Sequence, residues 1–405
     1  MLLLAACLIA FAPAFTAGVT NWDDDLYVRA PEAQRISAGT FTHFVFGSFH
    51  PLTIFSFAIE QQIFGRNALV LHATNVLAHA ASAILLFLLL QDLGALPFGA
   101  FAGALLWAIH PLRVESVVWI AERKDVLCAF FFIAALIAYV RRRLMLTFAL
   151  FVLALLSKGM AVTFPLAMLC FDYLQHRKAF VEKIPFFAAS VAFAIVGFVG
   201  QQPSGGRNGL TLVAQTFLFY LGKIFLPMHL NAVYLPPPRI FWISVPIAVA
   251  IIAAAFSNRV VAFAMLFFLA TIAIVLPFVA WSDTIAADRF TYIPSIGIAY
   301  AIAFFTKPKA LPAIAVIAAI LAVLTFQRSR VWHDSFSLWN SVIAADPRIP
   351  QAYNGRAAAF WARGDSASAI RDLDRALAID PCYAPARRNR AVLGGPRDTL
   401  AKCQK

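Results

Sequence analysis

Three adjacent carboxylates, Asp23, Asp24 and Asp25, follow directly on the first apolar segment, in the run Asn21-Trp22-Asp23-Asp24-Asp25. Three uses are open for them. A carboxylate beside an acceptor hydroxyl can take its proton as the oxygen attacks, a set of oxygens can hold a hard cation, or the residues can cap a helix in a solvated turn. Two His-Pro pairs come later, His50-Pro51-Leu52-Thr53 and His110-Pro111-Leu112-Arg113-Val114-Glu115-Ser116, the second running on into Trp119-Ile120-Ala121-Glu122-Arg123-Lys124-Asp125. Further cations stand in Ser157-Lys158-Gly159 and Asp288-Arg289-Phe290-Thr291-Tyr292. Charges beside apolar spans are costly unless paired or solvated, which leaves two arrangements. Glu122 and Asp125 neutralise Arg123 and Lys124 locally, or the cations line a pocket where guanidinium and ammonium groups stabilise a leaving lipid phosphate. His72 and His79, seven apart on one face with no third ligand near them in sequence, are expected to be hydrogen-bonded interior residues, not a metal site.

The elements that must position these groups belong to a membrane-embedded body. Of 405 residues, 61% are hydrophobic and 13% charged, against about 45–50% and about 25% in soluble domains. That excludes both a single water-soluble globule and intrinsic disorder. Of the 53 charged residues, 20 fall in 327–405, leaving 33 for the first 326. The chain therefore divides into a transmembrane body, 1–326, and a soluble tail, 327–405. The net charge of +13 reads as cytoplasmic-loop charge, not as a nucleic-acid footprint. The five cysteines, Cys7, Cys128, Cys170, Cys382 and Cys403, show no CxxC or metal spacing; Cys382 and Cys403 are the pair an oxidising compartment could join.

Apolar segments near 2–19, 69–91, 98–110, 125–140, 144–157, 160–174, 184–200, 241–256, 260–280, 292–306 and 310–326 approach the length that crosses about 30 Å of hydrocarbon, giving about eleven spans. The first lacks a basic n-region and a cleavage site, so it is expected to be a retained anchor. The basic turns Arg141-Arg142-Arg143, His176-Arg177-Lys178, Asn258-Arg259 and Lys307-Pro308-Lys309 should all be cytoplasmic. They share one side only if 201–240, broken by Gly205, Gly206, Pro227 and Pro236-Pro237-Pro238, returns without a net crossing. The N-terminus is then inside, and the loops 20–68, 110–124, 201–240 and 281–291 and the tail are outside.

In the tail, Asp346-Pro347 and Asp380-Pro381 are 34 residues apart, the tetratricopeptide period. Counting back from Pro381 places Tyr353, Ala357, Phe360, Ala369, Leu373 and Ala376 at packing positions and Gly364 at the turn between two helices. Arg356-Ala357 recurs as Arg390-Ala391, and 331–345 reads as the second helix of a preceding partial repeat. Such repeats need about three neighbours for independent stability. This short array is expected to pack on the membrane body or on another protein.

Taken together, the WDDD and HPLT elements, HPLRVESVVWIAERKDVL, LLSKGM, YLGKIFLPMHL with Tyr234 beyond it, ADRFTYIPSIG and the repeats after VWHDSFSLW resemble the transmembrane and tetratricopeptide-repeat-containing O-mannosyltransferases. They are more similar still to the bacterial relatives of those enzymes. The likeness covers nearly the whole chain in order; the tail, with fewer repeats than the animal members carry, departs from it. The resemblance implies an all-α, polytopic glycosyltransferase-C fold that uses a polyprenyl-phosphate sugar, with mannose expected, on the extracytoplasmic face of a bacterial inner membrane. Its acceptor would be a protein or glycan hydroxyl. It places the catalytic carboxylate, acting as base, at Asp23, Asp24 or Asp25, with central Asp24 the first choice. Arg123, Lys124, Lys158 and Arg289 are then expected at the donor phosphate, and His50, His110, Arg113, Glu115 and Glu122 in positioning roles. No cofactor is predicted; a divalent metal at Asp23–Asp25 is the alternative use of those acids. The tail is the expected contact for a protein partner. Two competing readings are an oligosaccharide transferase using a lipid-diphosphate donor and a non-catalytic envelope scaffold.

Overall fold

Hydrocarbon offers backbone N–H and C=O groups no partner, so apolar runs meant for it must close their hydrogen bonds as helices. The computed structural model describes residues 1–405 except 46, 201–208, 237–240, 279–283 and 395–405. Gly205, Gly206, Pro237, Pro238 and Cys403 thus lie outside the described residues. Among those described, the regular structure is helical, apart from one isolated bridge between Val45 and Ser48.

Among the described residues, three helices are long and apolar enough to cross a membrane, Ala68–Asp92, Val181–Gly200 and Pro308–Val331. A fourth crossing results if Pro97–Ala108 and Pro111–Val118, which meet at 55°, form one broken span. Shorter apolar helices, Leu144–Ser157, Leu210–Phe225, Ser244–Ala255, Arg259–Val275 and Ile296–Phe305, occupy much of the remaining apolar sequence. The segment 2–19 is helical only over Leu2–Ala10 and then tightens into a 3-10 turn, Ala12–Thr16. Pro13 lacks the donor that a continuing helix needs. Nine residues rise only about 14 Å, so this helix alone is well short of a span.

The helix Ala68–Asp92 is central, packing on Leu2–Ala10, Pro97–Ala108 and Arg123–Val140. Its polar side chains find partners inside. The ring of His72 bonds the Gly18 carbonyl at 3.2 Å, and His79 bridges the Tyr292 hydroxyl and the Ala108 carbonyl, the latter at 2.8 Å. Both are the hydrogen-bonded interior histidines expected from sequence. Cys7, Cys128 and Cys170 are buried free thiols.

Small residues set the closest helix contacts, as they do where lipid supplies no hydrophobic drive between helices. A Cβ on Gly103 would lie 2.4 Å from the Ala299 carbonyl oxygen, and one on Gly99 2.2 Å from that of Ala303. Gly103→Ala is therefore expected to force Pro97–Ala108 away from Ile296–Phe305 and destabilise the body by about 1–3 kcal/mol. Thermal unfolding in lipid nanodiscs would measure this; an unchanged midpoint would show that the contact is not tight.

The predicted boundary at 326/327 falls inside the helix Leu311–Val331. Beyond it, Ser335–Ala345, Pro350–Ala362, Ser366–Ile379 and Ala384–Val392 each pack on the next. Tyr353, Ala357, Ala369, Leu373 and Ala376 are buried together, with Phe360 packed against them. Gly364 makes the turn between the second and third of these helices at φ +83°, in the left-handed region that favours glycine.

Candidate functional site

Four sequence-distant segments meet at one place. Pro111 ends the apolar helix before it, and the chain continues as a 3-10 turn at Pro111–Arg113, a short helix at Val114–Val118 and a second turn at Ile120–Glu122 before Arg123–Val140 begins. Against this segment lie the acidic turn 20–25, Lys158 after Leu144–Ser157, and Arg289 in the turn Asp288–Thr291.

Glu122 is the hub. Its carboxylate lies 3.1 Å from the Lys124 ammonium, 2.9 Å from that of Lys158 and 3.4 Å from Arg289 Nε. Lys158 also donates to Asp125 at 2.7 Å, Ser116 Oγ donates to the other Asp125 oxygen at 3.0 Å, and the Arg289 guanidinium pairs with Glu115. Exposure sorts the signs. The side chains of Lys124, Lys158 and Arg289 are 13–17% exposed, while those of Glu115, Glu122 and Asp125 are 1–3% exposed. The cations are thus the more accessible members of the cluster and the carboxylates the more deeply buried. Burial alone would lift the Glu122 carboxyl, but Lys124, Lys158 and Arg289 hold it well below the usual range. The cations are further held by ring faces: Lys124 lies 4.8 Å from the centre of Tyr27, and Arg289 lies 5.4 Å from that of Trp119.

The three adjacent aspartates point to three environments. Asp24 is 1% exposed, and both its oxygens are taken: Thr20 donates its N–H and its hydroxyl to one, at 3.0 and 2.7 Å, and the Ala121 N–H donates to the other at 2.8 Å. Burial pushes its carboxyl up to about 7 against those three bonds. Asp25 is half-buried and reaches Arg29 at 3.4 Å. Asp23 faces the cluster. Burial raises its carboxyl, Lys124 and Arg289 pull it down, and Glu122 adds to the rise, for a net upward shift. Its carboxylate bonds to no described side chain or backbone group, and its backbone sits at φ +64°. A non-glycine residue in that region is strained and persists only when its surroundings over-determine it.

His50 is buried beside Tyr27, with ring centres 5.2 Å apart, and its Nε2 has no hydrogen-bond partner among the described residues. Burial first, then the Lys124 charge, pushes its pKa down to about 3, so the ring is neutral near pH 7. Other candidates are engaged elsewhere. Arg123 is fully buried, donating to Glu60 at 2.6 Å, Asn75 at 2.9 Å and the Leu71 carbonyl at 2.8 Å. Arg113 donates to the Thr291 carbonyl and hydroxyl at 3.1 and 2.8 Å. His110 accepts from the Leu112 N–H and bonds the Ile224 carbonyl at 3.0 Å. Sequence reasoning did not single out Glu60, a lone acid in the helix Pro51–Phe64, or Tyr27, which stands one helical turn after Asp23. The 23, 27 spacing was the available signal for Tyr27. Among the described residues, no group of three or more His, Cys, Asp or Glu side chains could hold a metal ion.

These features define a class, a helical membrane protein whose acidic turn faces a cluster of partly exposed cations. No family model matches the chain. It is similar to the Protein O-mannosyl-transferase F38B6.6 of Caenorhabditis elegans, 25% identical over 383 residues that cover 83% of this chain and 54% of that protein. The chain thus spans about half the length of this relative. It is also 32% identical over 124 residues to Protein O-mannosyl-transferase Tmtc1 of Drosophila melanogaster (29% of this chain, 14% of that one), and 33% identical over 95 residues to Protein O-mannosyl-transferase TMTC1 of Homo sapiens (23% and 11%). The resemblance read from the motifs is borne out by these relatives. Among solved structures, ArnT from Cupriavidus metallidurans bound to undecaprenyl phosphate aligns with a TM-score of 0.47 at 15% identity, over 93% of this chain and 75% of that one.

Proposed function

We propose that the chain is a membrane glycosyltransferase that moves a sugar, with mannose expected, from a polyprenyl-phosphate carrier to a protein Ser/Thr or glycan hydroxyl on the extracytoplasmic face. The observation that carries this reading is Asp23, an unpartnered carboxylate at φ +64° within the electrostatic reach of the partly exposed Lys124 and Arg289, with Lys158 joined to the same cluster through Glu122. The names of the similar proteins point the same way. The acceptor oxygen attacks the anomeric carbon from the face opposite the phosphate, and its proton passes to Asp23. The bond from that carbon to the phosphate oxygen breaks, and its electron pair leaves with the lipid phosphate, whose charge the three cations meet. The phosphate is already a good leaving group, so one carboxylate suffices where glycoside hydrolases need two. Neutral His50 is suited to hydrogen-bond an uncharged sugar hydroxyl.

In this reading the base role passes from Asp24, whose oxygens are occupied, to Asp23. Arg123, Arg113 and His110 support the scaffold, while Glu115 and Glu122 position cations. The body is of the glycosyltransferase-C type with about eleven spans. The tail is an extracytoplasmic tetratricopeptide array, and the membrane is a bacterial inner membrane. The test is purified protein in lipid with radiolabelled polyprenyl-phosphate mannose and a pool of envelope proteins. Label should reach protein with the parent and not with Asp23→Asn. A folded parent that transfers from no lipid-phosphate sugar would overturn the reading.

A further inference from the structure

The acidic turn is held from the far end of the chain. The Asn21 N–H donates to Ser335 Oγ at 2.9 Å, the Asn21 side-chain amide donates to the Gly355 carbonyl at 2.7 Å, and the Trp339 indole N–H donates to Asn21 Oδ1 at 2.7 Å. The next residue, Trp22, lies among three other indoles, with ring centres 4.8 Å from Trp119, 5.2 Å from Trp339 and 6.0 Å from Trp332. Its carbonyl accepts the Trp119 indole N–H at 2.7 Å. On the other side of Asp23, Asp24 is fixed by Thr20 and Ala121. Asp23 therefore stands between two immobilised neighbours, and the fixing of Asn21 is done by the C-terminal helices.

Gly355 shows how closely the parts fit. A Cβ there would come within 2.2 Å of the Trp339 ring. Glycine inside a helix is otherwise unfavourable, and here it leaves room for the indole that bonds Asn21.

We propose that Trp339, Ser335 and Gly355 are positioning residues for sugar transfer, acting through Asn21 and Trp22 to hold Asp23 in its left-handed conformation toward Lys124 and Glu122. On this view the tail completes the outer site as well as offering a surface to acceptor proteins. The inference rests on Asp23 being the base. Among the described residues none of the three forms a hydrogen bond, ion pair or ring contact with Lys124, Lys158 or Arg289, so their loss should misplace the base and leave donor binding intact. Misplacing a reacting group by about 1 Å can cost roughly 10²-fold in rate.

The test uses the full chain in lipid nanodiscs, with Trp339→Phe and Gly355→Ala. Phenylalanine keeps a ring against Trp22 and removes only the N–H donor, so Trp339→Phe carries the test if Gly355→Ala fails to fold. Amide hydrogen exchange over 20–24 should rise about tenfold. Turnover should fall about 10²-fold, with the KM for polyprenyl-phosphate mannose within about twofold of the parent. Unchanged exchange, faster exchange with unchanged turnover, or a rise in donor KM that accounts for the lost activity would each overturn the inference. A parent that transfers no sugar, while the variants still loosen 20–24, overturns the transfer reading but supports the tail's hold on the turn.

Discussion

Asp23→Asn is expected to cut sugar transfer by about 10²–10⁴-fold, the range a positioned general base supplies, with the unfolding midpoint and donor KM little changed. The carboxylate holds no other group in place, so an amide of the same shape removes the proton acceptor and nothing structural. Asp24→Asn should behave differently. Its NH2 would face N–H or O–H donors from Thr20 or Ala121, at a cost of about 1–3 kcal/mol for buried groups left unsatisfied. Activity would then follow the loss of fold. Acidity gives a second handle on the pair. The base must be ionised to work, and the Asp23 carboxyl is raised above its ordinary 3.8, so transfer should rise with pH over a window more alkaline than an exposed aspartate gives. Lys124→Met removes a charge that opposes the rise, so it should move that limb higher as well as weaken donor binding. Asp24 is also raised, from 3.8 to about 7. The folded state binds that proton more tightly, so the Asp24 contribution to stability is complete below 3.8 and is lost as pH rises to about 7. Asp24→Asn should remove this dependence. A rate for Asp23→Asn close to the parent's, with Asp24→Asn folded and inactive, would return the base to Asp24.

Apolar periodicity located much of the body because membrane helices must be continuous apolar runs. The segments 144–157 and 184–200 match the helices Leu144–Ser157 and Ile184–Gly200. The first segment was legible as apolar, yet Pro13 cuts its helix at Ala10, a local effect that hydropathy averages away. At the site, charged residues at the ends of apolar runs identified Lys124, Lys158, Arg289 and Glu122, because burying such groups demands partners. What sequence could not supply was direction. Arg123 and Lys124 are neighbours, but about 100° of helix rotation sends one to Glu60 and the other to Glu122. The same holds for the aspartates: central position favoured Asp24, whereas the left-handed turn at Asp23 carries that carboxylate toward the cations and leaves Asp24 pinned behind it. The bonds from Asn21 to Ser335 and Gly355 span more than 300 residues and leave no local pattern.

Glu122→Gln should produce the largest loss of stability of any single change in the cluster. The carboxylate is 2% exposed and meets three cations. Removing one partner from a buried pair costs about 3–5 kcal/mol because it leaves uncompensated charge. Lys158 and Arg289 keep Asp125 and Glu115 as further partners, so the lower end, about 3 kcal/mol, is expected. The pH dependence distinguishes this from simple packing damage. The Glu122 carboxyl is held below its ordinary 4.5, so its contribution is complete above that value and is lost as pH falls toward the depressed one. Parent and variant should therefore differ most near neutral pH and converge in acid, as chemical unfolding at several pH values would show. The effect on donor should carry the opposite sign to that of a cation mutant. Lys124→Met or Lys158→Met removes charge from the phosphate site and should raise the donor KM. Glu122→Gln frees Lys124, Lys158 and Arg289 from their shared counterion, so the folded fraction should bind polyprenyl phosphate at least as tightly as the parent does. A raised KM in Glu122→Gln, with folding intact, would mean that the carboxylate's hold on the three cations matters more to donor binding than the charge it withholds from the phosphate.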